Sequence, residues 1–306
     1  MGAFLLRRLL ALVGVLFAST IVLFVVLAFV PGDPAVLILG QDATPERVRA
    51  LRAELGLDLP GWQQYLRFVG GALQGDLGRS YQQNRSVTGE LARAFPVTFV
   101  LATIALAIAT VVGTLLGVLS AVRSNTWVDG VLRVVLLSFG SLPVFVLGLF
   151  LIYGFAVNWP VLPAFGWGTP AHAVLPALTL ATFPLATIGR LARAAMLDVL
   201  EQEYLTTARS KGLRERVVLM RHALRNALVP IVTVIALQFG ILLAGAVLTE
   251  SIFSVPGMGL LLLNAVFARD YALIRGTVLF AAVAVALLSL VVDILYVVLD
   301  PRIRRS

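Results

Sequence analysis

Six stretches of this chain are each long and apolar enough to cross a bilayer: roughly Leu9–Val30, Val97–Ala121, Val131–Val157, Val174–Ala195, Ala227–Leu248 and Thr277–Leu299. A helical crossing needs about 20 apolar residues. Lipid offers backbone N–H and C=O groups no partner, so each crossing must be helical. Charged residues make up 13% of the chain, against about 25% in a soluble domain, too few to solvate a globule. The expectation is an all-α polytopic membrane protein with six transmembrane helices.

The first apolar run follows Arg7-Arg8 and ends Phe29-Val30-Pro31-Gly32-Asp33, with no Ala-x-Ala site. It is too long for the core of a cleaved signal peptide, and we read it as a retained helix. Orientation follows from the short connections. Basic residues precede the first run, flank the second-to-third connection (Arg123, Arg133), crowd Arg190–Arg225 and close the chain (Arg302, Arg304, Arg305), whereas Asn158–Ala173 has none. Basic residues of short loops stay in the cytoplasm, so both ends are inside. This placement also accounts for the net charge of +8 without nucleic acid as a partner. Residues 31–95 carry seven arginines outside, balanced by seven acids, in a loop long enough to escape the rule.

That long outer segment has helix signals of its own. Thr44-Pro45-Glu46 reads as N-cap, first-turn proline and first-turn acid. Val48, Leu51 and Leu55 form a stripe that Gly56 ends, and a second helix starts near Pro60 with Trp62, Tyr65, Leu66 and Val69. Pro143 in the third run and Pro176 and Pro184 in the fourth predict kinks. Trp127, Trp159 and Trp167 fall near expected interfaces.

The cytoplasmic stretch Arg190–Pro230 carries the mechanism. Glu203–Gly212 reads as one short helix, with Glu201 and Glu203 at its positive end, Arg209 and Lys211 at its negative end and Gly212 as the stop. Tyr204, Ala208 and Lys211 share a face, and the small Ala208 at its centre invites close approach by another surface. After it, Leu213, Val217, Met220 and Leu224 share one helical face and Arg214, Arg221 and Arg225 another, the pattern of an interfacial amphipathic helix. A positively charged loop that only fixes topology is the plainer alternative.

These residues resemble the cytoplasmic loop of permease subunits of bacterial dipeptide/oligopeptide ABC importers. Of the general importer signature, Glu-Ala-Ala-x3-Gly-x9-Ile-x-Leu-Pro, the chain keeps Ala208, Gly212 and Leu224 and departs at Thr206, Thr207, His222 and Arg225. The peptide-branch form, Asp/Glu-Tyr-x-x-Thr-Ala-Arg-x-Lys-Gly-Leu, is matched throughout by Glu203, Tyr204, Thr207, Ala208, Arg209, Lys211, Gly212 and Leu213. Further likenesses are Pro31-Gly32-Asp33-Pro34, Leu55–Asp58, Gly75–Ser80, Glu250–Gly257, Arg269-Asp270-Tyr271 and Leu299–Arg302.

The resemblance implies a type I ABC importer permease fold in the bacterial inner membrane: a first helix (1–30), an external helical insertion (31–95), a five-helix core (96–300) with a cytoplasmic coupling loop (196–226), and a tail (301–306). It also implies a division of labour in which Glu203–Leu213 couples the pore to separate ATPase subunits. Partners implied are a second homologous permease, two ABC ATPases and an external solute-binding protein. ATP and magnesium would be used by the ATPases and no cofactor bound here. Lys211 is the only lysine and Gly212 follows it, so no Gly-Lys-Ser/Thr phosphate loop exists in the chain. Di- or oligopeptides are the implied cargo, with glutathione, nickel chelates or another small solute as alternatives. Glu250, Pro256 and Gly257 are candidates for an external gate, and no substrate-contact residue is identified.

Two other classes are weighed. An ion-coupled secondary transporter is disfavoured by scarce buried charge, since Asp293 is the one carboxylate well inside a span; a structural pairing explains it better than a proton site. An intramembrane enzyme lacks material: there is no cysteine, and the two histidines, His172 and His222, read as surface residues, leaving no catalytic or metal set.

Overall fold

The computed structural model describes residues 2–29 and 33–299, with side chains from Arg7 to Val291 apart from residues 30–32. Asp293, Pro31, Gly32 and Asp300–Arg302 therefore lie outside the side chains described. The long helices are α1 (Gly2–Ala28), α5 (Val87–Val122), α8 (Pro170–Leu200), α11 (Leu224–Gly245) and α14 (Tyr271–Leu299). Between them come α2 (Pro34–Leu39), α3 (Pro45–Leu55), α4 (Gly61–Leu73), α6 (Trp127–Ser141), α7 (Val144–Ile152), α9 (Glu203–Ser210), α10 (Glu215–Val217), α12 (Val247–Ile252) and α13 (Met258–Phe267).

Five described helices are long and apolar enough to cross a membrane, and the bent pair α6–α7 makes a sixth if the two halves form one broken span. The third run is thus not the kinked helix expected from its sequence. It breaks at Leu142-Pro143 and turns by 99°. Proline has no N–H and disfavours helical geometry in the residue before it, and Leu142 is accordingly extended (φ −70°, ψ 127°). Pro176 and Pro184, by contrast, sit inside an unbroken α8.

The described residues form two compact units. One comprises the chain up to Val97 with Pro256–Leu287. Here Thr44 caps α3 by accepting from the Arg47 N–H at 3.4 Å, and Gly56 ends it in the left-handed region (φ 67°). Asp33 caps α2, a helix the sequence patterns did not reveal. On α4, Tyr65 lies edge-on to Phe24 with centroids 5.2 Å apart and shares a 3.0 Å hydrogen bond with Thr20. The unit's core gathers Leu27, Val87, Leu91, Met258, Leu273 and Ile274. The loop before α5 is anchored by Ser80 Oγ, which donates to Asp270 Oδ2 at 2.5 Å; both residues are buried.

The other unit holds Thr98–Val255 and the end of α14 from Leu288. Its centre is α8, against which α6, α7 and α11 pack. Small residues allow the closest contact: a Cβ on Gly113 would stand 2.8 Å from the Leu185 carbonyl oxygen, and one on Gly189 would stand 2.6 Å from Leu136 Cδ2. Between helices in lipid no hydrophobic difference drives association, so close backbone approach through such glycines has to supply packing energy.

Candidate functional site: the elbow at Glu203–Gly212

The sequence-singled stretch folds as α9, with Lys211 at its C-cap and Gly212 in the left-handed region (φ 77°). A side chain at Gly212 would meet open space, so the glycine is required by backbone conformation and not by crowding. Glu203 lies in the first turn and Arg209 in the last, complementing the helix dipole.

Two contacts fix α9 on the chain that follows it. Arg209 donates in bidentate fashion to Glu215, Nε to Oε2 at 3.2 Å and Nη2 to Oε1 at 3.0 Å. That pairing raises the Arg209 pKa above its ordinary value. Asn226 Nδ2 donates to the Tyr204 hydroxyl at 2.8 Å. Beneath the helix, Leu205 and Ala208 join Ala121, Ala195, Met196, Val218, Ala223 and Ala227 in an apolar cluster.

That cluster corrects one expectation. Ala208 is 8% exposed, and the surface approaching it is the chain's own α8 and α11 region. The face left open carries Glu203, Tyr204, Thr206, Thr207, Arg209, Ser210 and Lys211, and continues through Gly212 and Leu213. Shared helical spacing marked Ala208 as central, but spacing alone does not say which side of a short helix the chain itself covers.

The amphipathic stretch after α9 is corrected too. It is no separate interfacial helix. From Glu215 the chain runs through α10 and a π-helical turn, Val218–Ala223, straight into α11. The wide turn adds a residue to the repeat, so Val218, Ala223 and Ala227, at intervals of five and four, are all buried. A uniform 3.6-residue reading put Leu213, Val217, Met220 and Leu224 on the apolar face; Leu213, Val217 and Met220 are instead exposed.

Behind the elbow stands a charge cluster that sequence reading missed. Asp129, in the first turn of α6, is fully buried. Its carboxylate accepts from Arg193 of α8 (Nε to Oδ1 2.9 Å, Nη2 to Oδ2 2.8 Å), from Ser120 Oγ of α5 at 2.5 Å and from the Asn125 N–H at 3.2 Å. Arg133 Nε stands 3.5 Å from Oδ1. The cluster ties three helices together at the end of α8 that leads, through Ala195 and Met196, to the cluster under α9. A buried carboxylate is tolerated only with such full compensation. In sequence Arg193 is one of many topology charges; the signal for the cluster is an aspartate two residues into an apolar helix.

Glu250 lies in α12 and is fully buried, not solvated as expected for a helix end; Thr98 Oγ1 donates to its Oε1 at 2.6 Å. Pro256 is exposed, and Gly257 is buried as the N-cap residue of α13.

Residues 113–305 match the family model of the binding-protein-dependent transport system inner membrane component, and residues 1–102 match the model of the N-terminal part of such membrane components. The chain belongs to this family. It is an inner-membrane permease of a binding-protein-dependent transport system, the kind of membrane component that works with an ATPase and a solute-binding protein. Curated permeases resemble it over their full length: the glutathione transport system permease of Shigella flexneri serotype 5b is 39% identical over 98% of both chains, and the dipeptide transport system permease of Escherichia coli K12 is 41% identical over 99% of both. A solved amino acid ABC transporter crystallised with histidines matches 68% of this permease and 94% of its own chain, with a TM-score of 0.55 at 16% identity; that likeness concerns the fold alone.

Proposed function

We propose that this permease forms half of the translocation pathway of an ATP-driven importer for di- or oligopeptides, with α9 as the element that docks on an ATPase subunit. The carrying observation is the build of α9. It is a short helix whose apolar side is sealed against the chain's own core, whose position is pinned by Glu215 and Asn226, and whose polar side is exposed. A helix held this way transmits a push without rolling. Glu203, Tyr204, Thr207, Arg209, Lys211, Gly212 and Leu213 are the proposed contact set, with Ala208 as its internal seat.

In this reading a second, homologous permease completes the pathway, two ATPases bind ATP with magnesium, and an external protein delivers the solute. The permease itself binds no nucleotide. ATPase closure biases the bundle between two openings. The solutes named for its relatives, a dipeptide and glutathione, are both short peptides, which supports a peptide cargo. Buried Glu250 and the turn through Pro256-Gly257 are the proposed outer gate.

The test is uptake and ATP hydrolysis by the reconstituted complex. Gly212→Trp strains the left-handed position that follows the α9 C-cap and adds bulk to the exposed end; it should abolish uptake and uncouple hydrolysis while the permease stays in the membrane. Normal coupled uptake would reject the docking role.

A further inference from the structure

The unit that contains α1 to α4 and the start of α14 holds an open pocket of about 470 Å³. Its lining carries Tyr271 and Arg275 of α14, Gln64 of α4 and the ion pair Asp33–Arg52, together with apolar residues, Phe24 and Leu27 among them. Two polar atoms on this lining are buried with no hydrogen-bond partner on the protein: the Tyr271 hydroxyl, on a residue 7% exposed, and Arg275 Nε.

The charges on the lining do not cancel. Arg52 Nε lies 2.9 Å from Asp33 Oδ2, so that pair is self-neutralising. Arg275 has no carboxylate within ion-pair distance among the described residues; its guanidinium lies over the Phe24 ring, 4.0 Å from the centroid. A guanidinium stacked on an aromatic ring keeps its N–H edge for an acceptor in the ring plane's surroundings. A half-buried cation without a counter-ion and a buried hydroxyl without a partner are each unfavourable unless an acceptor arrives. One singly charged oxyanion would satisfy both.

We propose that this pocket is a binding site for a small amphiphilic monoanion, its oxyanion held by Arg275 and Tyr271 and its apolar body lying against Phe24 and Leu27. The volume is within the range of small-molecule sites. A soluble carboxylate and the phosphodiester headgroup of a phospholipid share this chemistry. The site is independent of what the pathway carries.

The experiment uses the full complex in phosphatidylcholine nanodiscs, wild type against Arg275→Gln and Tyr271→Phe. One arm titrates hippurate calorimetrically, with hippuramide as the uncharged control. The other exchanges phosphatidylglycerol into the nanodiscs and reads retained lipid by native mass spectrometry, with phosphatidylcholine as control. The expected result is that one anion binds wild type and that Arg275→Gln weakens it roughly tenfold, the effect of losing one charge-assisted hydrogen bond. Binding of hippurate identifies a soluble carboxylate, and selective retention of phosphatidylglycerol identifies a headgroup. Should Arg275→Gln fail to assemble, Tyr271→Phe, which keeps the ring and its packing, should still weaken the anion severalfold. If neither anion distinguishes wild type from the variant that assembles, the two polar groups serve only water and the proposal is overturned.

Discussion

Arg193 meets both carboxylate oxygens of the fully buried Asp129, at 2.9 and 2.8 Å, and so ties α8 to the start of α6. Removing one partner strands the other. Arg193→Ala or Asp129→Ala should each cost about 3 kcal/mol or more, whereas a paired replacement by apolar residues of similar volume should cost much less than the two single changes added together. Thermal unfolding of the purified permease, measured as a double-mutant cycle, checks this.

The glycine contacts predict a steric failure. A Cβ on Gly117 would stand 2.8 Å from Ala192 Cβ and 3.0 Å from the Arg193 backbone nitrogen. Gly117→Leu should force α5 and α8 apart and abolish accumulation of folded permease. Gly130→Ala, at a position with open space, should be tolerated. Size-exclusion profiles of the two variants make the comparison.

The Arg209–Glu215 pair is partly exposed, so its value for stability is small, about 0–1 kcal/mol. Its expected effect is on coupling. Glu215→Ala should leave the melting temperature nearly unchanged and lower uptake per ATP hydrolysed. Exchanging the two charges, Arg209→Glu with Glu215→Arg, should restore much of the loss. Simultaneous transport and ATPase measurements read the ratio.

Ala208→Asp separates the two readings of that residue. In a buried seat, an aspartate places an unpaired carboxylate among Leu205, Met196 and Val218 and should lower stability by several kcal/mol. On an exposed docking face it would leave stability intact and weaken ATPase association alone. Melting of the isolated permease should therefore fall.

Much of this architecture was legible because bilayer physics leaves few options. Apolar length marked the crossings, and capping chemistry marked α3 and α9: Thr44, Gly56 and Gly212 perform the roles their types suggest. What stayed hidden depends on tertiary partners. Pro143 disfavours helix at Leu142, but the same chemistry at Pro176 and Pro184 leaves α8 unbroken, so the 99° turn is not set by proline alone. The π turn at Val218–Ala223 shifts the helical repeat by a residue, so a regular wheel assigns the wrong face. Asp129 and Glu250 look like ordinary polar helix ends until Arg193 and Thr98, distant in sequence, are brought against them.

The central claim is that the open face of α9 meets an ATPase in the cytoplasm. The chain contains no cysteine, so a single cysteine at Thr207, which is exposed, reports that face without background. In the assembled transporter it should crosslink to the ATPase subunit, and impermeant thiol reagents should reach it only from the cytoplasmic side once the ATPase is removed. Labelling of that cysteine from outside intact cells, or fully coupled uptake with no ATPase crosslink at Thr207 or at exposed Lys211, would contradict the account.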